Sequence, residues 1–137
     1  RAEFVRSRRE PLMNGKEPAD IAEPVARSLM GPKASELAFA QLVDSMSRLH
    51  KHSYIKSIEA LVNLDTNTVL DHITVPAHVI CGADDPLTPL SMSREIVQLI
   101  PHATLTVVPD AGHLLNIENP VDFNNAALNF LLRHKQE

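Results

Sequence analysis

Cysteine, glycine and long apolar runs are all scarce in this sequence, and each scarcity removes a class of explanation. A single cysteine, Cys81, among 137 residues excludes an internal disulfide framework and any Cys-x-x-Cys metal or redox site. No apolar run approaches the roughly 20 residues that span a bilayer, and the basic, Glu-containing start is not expected to be a signal peptide. Positive charge is in the minority, with 13 Lys and Arg against 17 Asp and Glu and a formal net charge of -4. That balance argues against a binder that works by neutralising nucleic-acid phosphates. Only four glycines stand against ten prolines, so few positions take a left-handed turn without steric cost.

What is present is the composition of an ordinary soluble domain, 44% hydrophobic and 22% charged, for which a cytoplasmic location is expected. The first stretch, Arg1 to Pro32, is charged and proline-broken, and its apolar period is only weakly helical. From Ala34 to Leu49 the residues Phe39, Leu42, Val43, Met46 and Leu49 trace one face of an amphipathic helix. Tyr54, Ile55, Ile58, Leu61 and Val62 give a second, shorter helix, with a further turn running to Leu70. No internal repeat is visible.

After Pro76 the pattern changes. Ala77-His78-Val79-Ile80-Cys81 is a short apolar run ending at Gly82, the signature of a buried strand. Thr88 and Pro89 read as a helix cap and first helical position, and Met92, Ile96, Leu99 and Ile100 mark the face of the helix they open. Ala103 to Val108, rich in β-branched residues, reads as a second strand closed by Pro109-Asp110-Ala111-Gly112. Asn119-Pro120 then opens a final helix carrying Phe123, Ala127, Phe130 and Leu131 on one face. A strand that returns through a helix implies a parallel pair with a right-handed crossover. Two parallel strands alone leave long unpaired edges, which natural proteins avoid. Either a self-associated copy completes the sheet or this chain is part of a larger one, and the second is favoured.

The residues able to do chemistry sit in the two loops that follow the strands, where open parallel sheets gather their catalytic groups. Gly82-Ala83-Asp84-Asp85-Pro86 follows the first strand and Pro109-Asp110-Ala111-Gly112-His113 the second. Both loops leave the sheet at the same edge, so a carboxylate and an imidazole can meet there. A carboxylate on one ring nitrogen fixes the tautomer and stabilises the imidazolium, which makes the histidine a general base for a hydroxyl or water. The competing reading gives Asp84 and Asp85 turn and cap chemistry and leaves His113 a polar loop residue. A metal held by Asp84, Asp85, Asp110, His113 and Glu118 is a weaker alternative, since no His-Glu-x-x-His pattern is present. Cys81 reads as a small core residue. The cluster Arg1, Arg6, Arg8, Arg9 and Lys16 reads as a solvated face, with contact to an acidic substrate as the sharper alternative.

Ile73-Thr74-Val75-Pro76, Val79-Ile80-Cys81-Gly82-Ala83-Asp84-Asp85-Pro86-Leu87-Thr88-Pro89, Asp110-Ala111-Gly112-His113-Leu114-Leu115, Glu118-Asn119-Pro120 and Phe130-Leu131 together resemble the carboxyl-terminal part of the α/β-hydrolase fold. The run from Gly112 to Glu118 is most similar to 3-oxoadipate enol-lactonases and their esterase-like relatives. The resemblance covers about Ile73 to Leu132. From Arg1 to Asn63 it is only general, to the helical lid such enzymes insert before their last two strands. It implies an α/β architecture with a lid-like segment over residues 1–72 and the last two strands with their helices over 73–137. It also implies Asp85 as triad acid, His113 as triad base, Leu87 and Leu114 as substrate-binding residues, a small ester or lactone substrate, and no cofactor or metal.

The family nucleophile sits in G-x-S-x-G, which needs two glycines four residues apart. Glycines 15, 31, 82 and 112 contain no such pair. The expectation is therefore the lid and carboxyl-terminal portion of a serine-dependent hydrolase, whose nucleophile and oxyanion donors lie in a missing amino-terminal half. The alternative is a stand-alone module that lost catalysis and completes its sheet by self-association. Neither reading includes a nucleic-acid or membrane partner.

Overall fold

The computed structural model describes residues 2–62 and 69–135, which divide into two compact units. The first comprises Arg1–Ser28 and Glu36–Asp65, the second Leu29–Ser35 and Thr66–Glu137. Arg1, the turn expected to run to Leu70 over residues 63–68, and the side chain of Val62 lie outside the described residues.

The first unit is helical: α1 (Ala2–Met13), α2 (Pro18–Arg27), α3 (Glu36–Ser47) and α4 (Lys51–Val62). Helix α2 packs on α3 and α1, and α1 packs on α4. The weakly helical reading of residues 1–32 is corrected, because two helices form there with Pro11 and Pro24 inside them. A proline inside a helix costs about 3 kcal/mol. Here Leu12, Ile21, Ala22, Val25 and Ala26 are buried beside the prolines, and each large apolar side chain so buried stabilises by about 1.5–3 kcal/mol. At the start of α2 the Glu17 N–H donates to the Asp20 carboxylate at 2.7 Å, with Pro18 in the first turn. In α3 Met46 is buried as the periodicity predicts, while Leu49 lies past the helix end and is exposed. In α4 Ile58 is buried and Leu61 exposed.

Arg8 is the unexpected core residue of this unit. The cluster to which it belongs reads as a solvated face, yet Arg8 is only 4% exposed. Its guanidinium lies 4.2 Å from the centre of the Phe4 ring and donates to the hydroxyls of Ser7 (3.1 Å) and Ser28 (2.9 Å). Tyr54 lies beside it, and burial lowers the guanidinium pKa from its ordinary value. The Arg6 and Arg9 side chains do stay at the surface, paired with Glu3 and Glu59.

The second unit carries the sheet. After a 3-10 turn at Leu70–His72 come β1 (His78–Gly82), α5 (Leu90–Leu99), β2 (Thr104–Val108), a single-turn α6 (Leu115–Glu118) and α7 (Pro120–Arg133). The strands pair in parallel, His78 opposite Thr104 through Gly82 opposite Val108, with α5 and α7 against both strands. Each strand thus has one neighbour among the described residues. The inward face of α5 is Ser93, Ile96, Val97 and Ile100; Met92 and Leu99, expected inside, are exposed. Asn119 caps α7, its side chain accepting the Asp122 N–H. Val108 and Ala111 at the end of β2 are fully buried, so the strand ends in the best-packed part of this unit. Among the described residues no helix is long and apolar enough to cross a membrane.

Candidate active site

Backbone contacts bring the two strand-end loops together. The Ala83 N–H donates to Val108 O at 2.8 Å, and the Asp84 N–H to Ala111 O at 2.9 Å. This close approach explains the glycine that ends β1 and the one before His113. A Cβ on Gly82 would collide with the carbonyl oxygens of Ala111 and Gly112, and one on Gly112 with the backbone of Leu29, Met30 and Gly31. At the turn out of β2 the backbone of Asp110 is left-handed, φ 56°, a conformation that aspartate tolerates better than most residues.

On this frame Asp85 and His113 meet. His113 Nδ1 lies 2.9 Å from Asp85 Oδ2. The Asp85 side chain is 4% exposed and that of His113 33%. Asp85 Oδ1 accepts the N–H groups of Leu87 (2.8 Å) and Thr88 (2.9 Å), and Oδ2 accepts the Thr88 hydroxyl at 2.6 Å. Burial alone would push this carboxyl up. The Thr88 hydroxyl and N–H, the His113 ring and the Leu87 N–H outweigh it and hold the group below the usual carboxylate range. An ionised carboxylate only accepts, so the proton between the two side chains sits on His113 Nδ1. Nε2 is then the basic nitrogen, and among the described residues it has no hydrogen-bond partner.

Asp85 therefore does both things the sequence offered as alternatives: one oxygen closes a turn and the other faces the imidazole. Asp84 is exposed and engages the second loop through its backbone N–H. Leu87 and Leu114 are half-buried beside the pair. Among the described residues no group of three or more potential ligands could hold a metal ion. Thr88 is not a helix cap: its hydroxyl turns back to Asp85 and lies 3.2 Å from His113 Nδ1, and the N-cap position of α5 falls to Pro89, which makes no side-chain cap.

Sequence reasoning missed the part played by Glu118. Its Oε2 accepts the N–H groups of Gly31 (2.8 Å) and Gly112 (3.0 Å), and its Oε1 that of Leu114 (3.1 Å). Glutamate one residue before Asn119-Pro120 is the signal that was available, but nothing local points to Gly31.

The model of the alpha/beta hydrolase fold matches residues 5–120, and the chain belongs to that family. Among curated relatives, the chain is 43% identical over 74 residues to the protein named "Putative carbamate hydrolase RutD" of Caulobacter sp. (strain K31), covering 54% of this chain and 28% of that one. The protein of the same name in Escherichia coli (strain K12) is 31% identical over 99 residues, 68% of this chain and 37% of its own. Among solved structures, the enol-lactonase of Burkholderia xenovorans LB400 is similar with a TM-score of 0.80 and 26% identity, over 96% of this chain and 49% of that one. A thermophilic esterase of Thermogutta terrifontis shares the fold, with a TM-score of 0.84 and 20% identity over 96% and 49%. The chain spans about half the length of these solved structures and less of the curated relatives.

Proposed function

We propose that this chain supplies the acid and the base of a serine-dependent hydrolase acting on a small carboxylic ester or lactone, with the nucleophile outside these 137 residues. The observation that carries the reading is the 2.9 Å contact between His113 Nδ1 and a nearly buried Asp85, with Nε2 unengaged. In the proposed cycle a serine hydroxyl attacks the substrate carbonyl while His113 Nε2 takes its proton. Asp85 holds the ring in the needed tautomer and stabilises the imidazolium. His113 returns the proton to the leaving alkoxide, and water then repeats the sequence on the acyl-enzyme. Triad chemistry asks this of an acid–base pair and needs no cofactor.

Leu87 and Leu114, beside the pair, are assigned to the substrate side, and residues 1–72 to a lid-like segment. The lack of a G-x-S-x-G run supports a nucleophile elsewhere. So do the single neighbour that each strand has among the described residues and the exposed Val121, Leu128, Leu131 and Leu132 of α7. These surfaces suit a missing amino-terminal half of the core. The carbamate hydrolase name of the relatives favours a second substrate class, since a carbamate offers the same carbonyl to the same attack.

The test is made in the intact enzyme with p-nitrophenyl acetate and an alkyl carbamate as separate probes. Asp85→Asn and His113→Gln are each expected to lower kcat by about 10³–10⁴-fold while leaving the fold intact. Wild-type turnover by a folded His113→Gln protein would overturn the reading, and the ratio of the two probes decides between ester and carbamate. The 137-residue chain by itself is expected to give no stoichiometric serine acylation by the activated ester.

A further inference from the structure

We propose that Glu118 is a positioning residue for His113, its carboxylate fixing the backbone on both sides of the imidazole. The inference rests on the reading of His113 as the base. Gly112 and Leu114 flank His113 directly, and both donate their N–H groups to Glu118. The N–H of His113 itself donates to Leu29 O at 2.8 Å. Three consecutive amides of the histidine loop are thus taken up by two acceptors.

A helix cap would explain only one of these bonds. The Leu114 N–H is the open donor at the start of α6, and an acidic side chain from within the first turn is an ordinary partner for it. The Oε2 bonds serve no cap: they reach Gly112, outside α6, and Gly31, 87 residues away in sequence. Leu29–Ser35 packs with the sheet unit rather than with the helices on either side of it in the sequence. Glu118 and the Leu29 carbonyl therefore both tie the histidine loop to that one segment. The Asp85–His113 contact depends on where this loop sits, because Asp85 is already fixed by Leu87 and Thr88. The charge type matters as well. A carboxylate has two accepting oxygens, whereas the amide of glutamine has one and turns an NH₂ toward N–H donors. Glutamine can serve either Leu114 or the Gly31–Gly112 pair, not both.

The experiment is Glu118→Gln in the intact enzyme, with p-nitrophenyl acetate as probe and His113→Gln alongside. Misplacing the base by a fraction of an ångström is expected to lower kcat about 10- to 100-fold, with KM within about twofold because the substrate side is untouched. The His113 Nδ1 proton is expected to resonate downfield in the NMR spectrum of the wild type and to broaden in the variant. Unchanged kcat in Glu118→Gln beside a dead His113→Gln overturns the positioning role and leaves the hydrolase reading standing. Full activity in folded His113→Gln overturns both. A role in folding alone would reduce the folded fraction but leave the Nδ1 resonance unchanged in the molecules that fold, and that result also overturns the proposal. If Glu118→Gln does not fold, Glu118→Asp, which keeps the charge but draws it back one methylene, is read by the same two measurements.

Discussion

Replacing Gly112 by alanine tests how tightly the histidine loop is held. The backbone conformation at this position is open to any L-residue, so the whole cost is steric. A Cβ there would lie 2.8 Å from Met30 C and 2.9 Å from Leu29 O, and closer still to Gly31 N. All three are backbone atoms, so no side chain can swing aside. Relief requires the Leu29–Gly31 segment to retreat by something like 1 Å. That breaks or stretches the His113 N–H bond to Leu29 O and the Gly31 N–H bond to Glu118, both 2.8 Å. The first is worth about 1 kcal/mol and the second, to a charged acceptor, about 1.5–3 kcal/mol. Adding about 1 kcal/mol of residual overpacking gives an expected destabilisation of about 3.5–5 kcal/mol. Gly15→Ala is the matched control, because its φ is +92° and nothing lies within 4 Å of the added Cβ. It should cost only the left-handed strain, about 1–2 kcal/mol. Urea unfolding followed by circular dichroism measures both. A Gly112→Ala cost no greater than that of Gly15→Ala would refute the reasoning, since it would mean that the Leu29–Gly31 segment yields without loss.

Two further outcomes follow from the same bookkeeping of partners. Thr88→Val removes the hydroxyl that most lowers the Asp85 pKa. A carboxyl held below its unfolded value of about 3.9 contributes stability that is present above that value and lost as pH falls through the folded one. The acid-side loss should therefore be smaller in Thr88→Val and complete at a higher pH, with about 1–3 kcal/mol less stability near neutrality; superimposable stability–pH curves for variant and wild type would contradict this. Arg8→Ala removes the guanidinium's hydrogen bonds to Ser7 and Ser28, whose hydroxyls keep their own carbonyl acceptors, and opens space in the helical unit, for an expected cost of about 1–3 kcal/mol. Arg9→Ala breaks only the exposed pair with Glu59 and should cost at most about 1 kcal/mol; equal midpoints for the two variants would place Arg8 at the surface after all.

The sheet and the contact between Asp85 and His113 were legible because what makes them is local. An apolar run ending at Gly82 and a β-branched run closed by Pro109-Asp110-Ala111-Gly112 predict parallel strands whose loops leave one edge, and the family resemblance of those loops singles out Asp85 and His113. Where the sequence misleads, a local signal is real but is overridden by something distant. Pro11 and Pro24 read as breaks, yet the burial of Leu12, Ile21 and Val25 against other helices keeps α1 and α2 intact. Arg8 reads as one more surface cation, and only the convergence of Phe4, Ser28 and Tyr54 makes it a core residue.

Thr88 and Glu118 show the same division within the site. A threonine before a proline has the form of a helix start, and nothing in that dipeptide reports that its hydroxyl serves a carboxylate three residues earlier. A glutamate before Asn119-Pro120 has the form of a cap or a metal ligand, and the glycine it binds lies 87 residues away. Candidate reacting groups of such a site stand in two short segments, because the chemistry restricts which residue types can serve. The groups that hold them need only an N–H or a lone pair in the right place, which many residues can offer, so their identity carries little signal. That asymmetry implies that variants at Thr88 and Glu118 discriminate better than variants at Asp85 and His113 between a preorganised pair and two residues that merely touch. Removing a member abolishes either arrangement, whereas loosening its support weakens only the first.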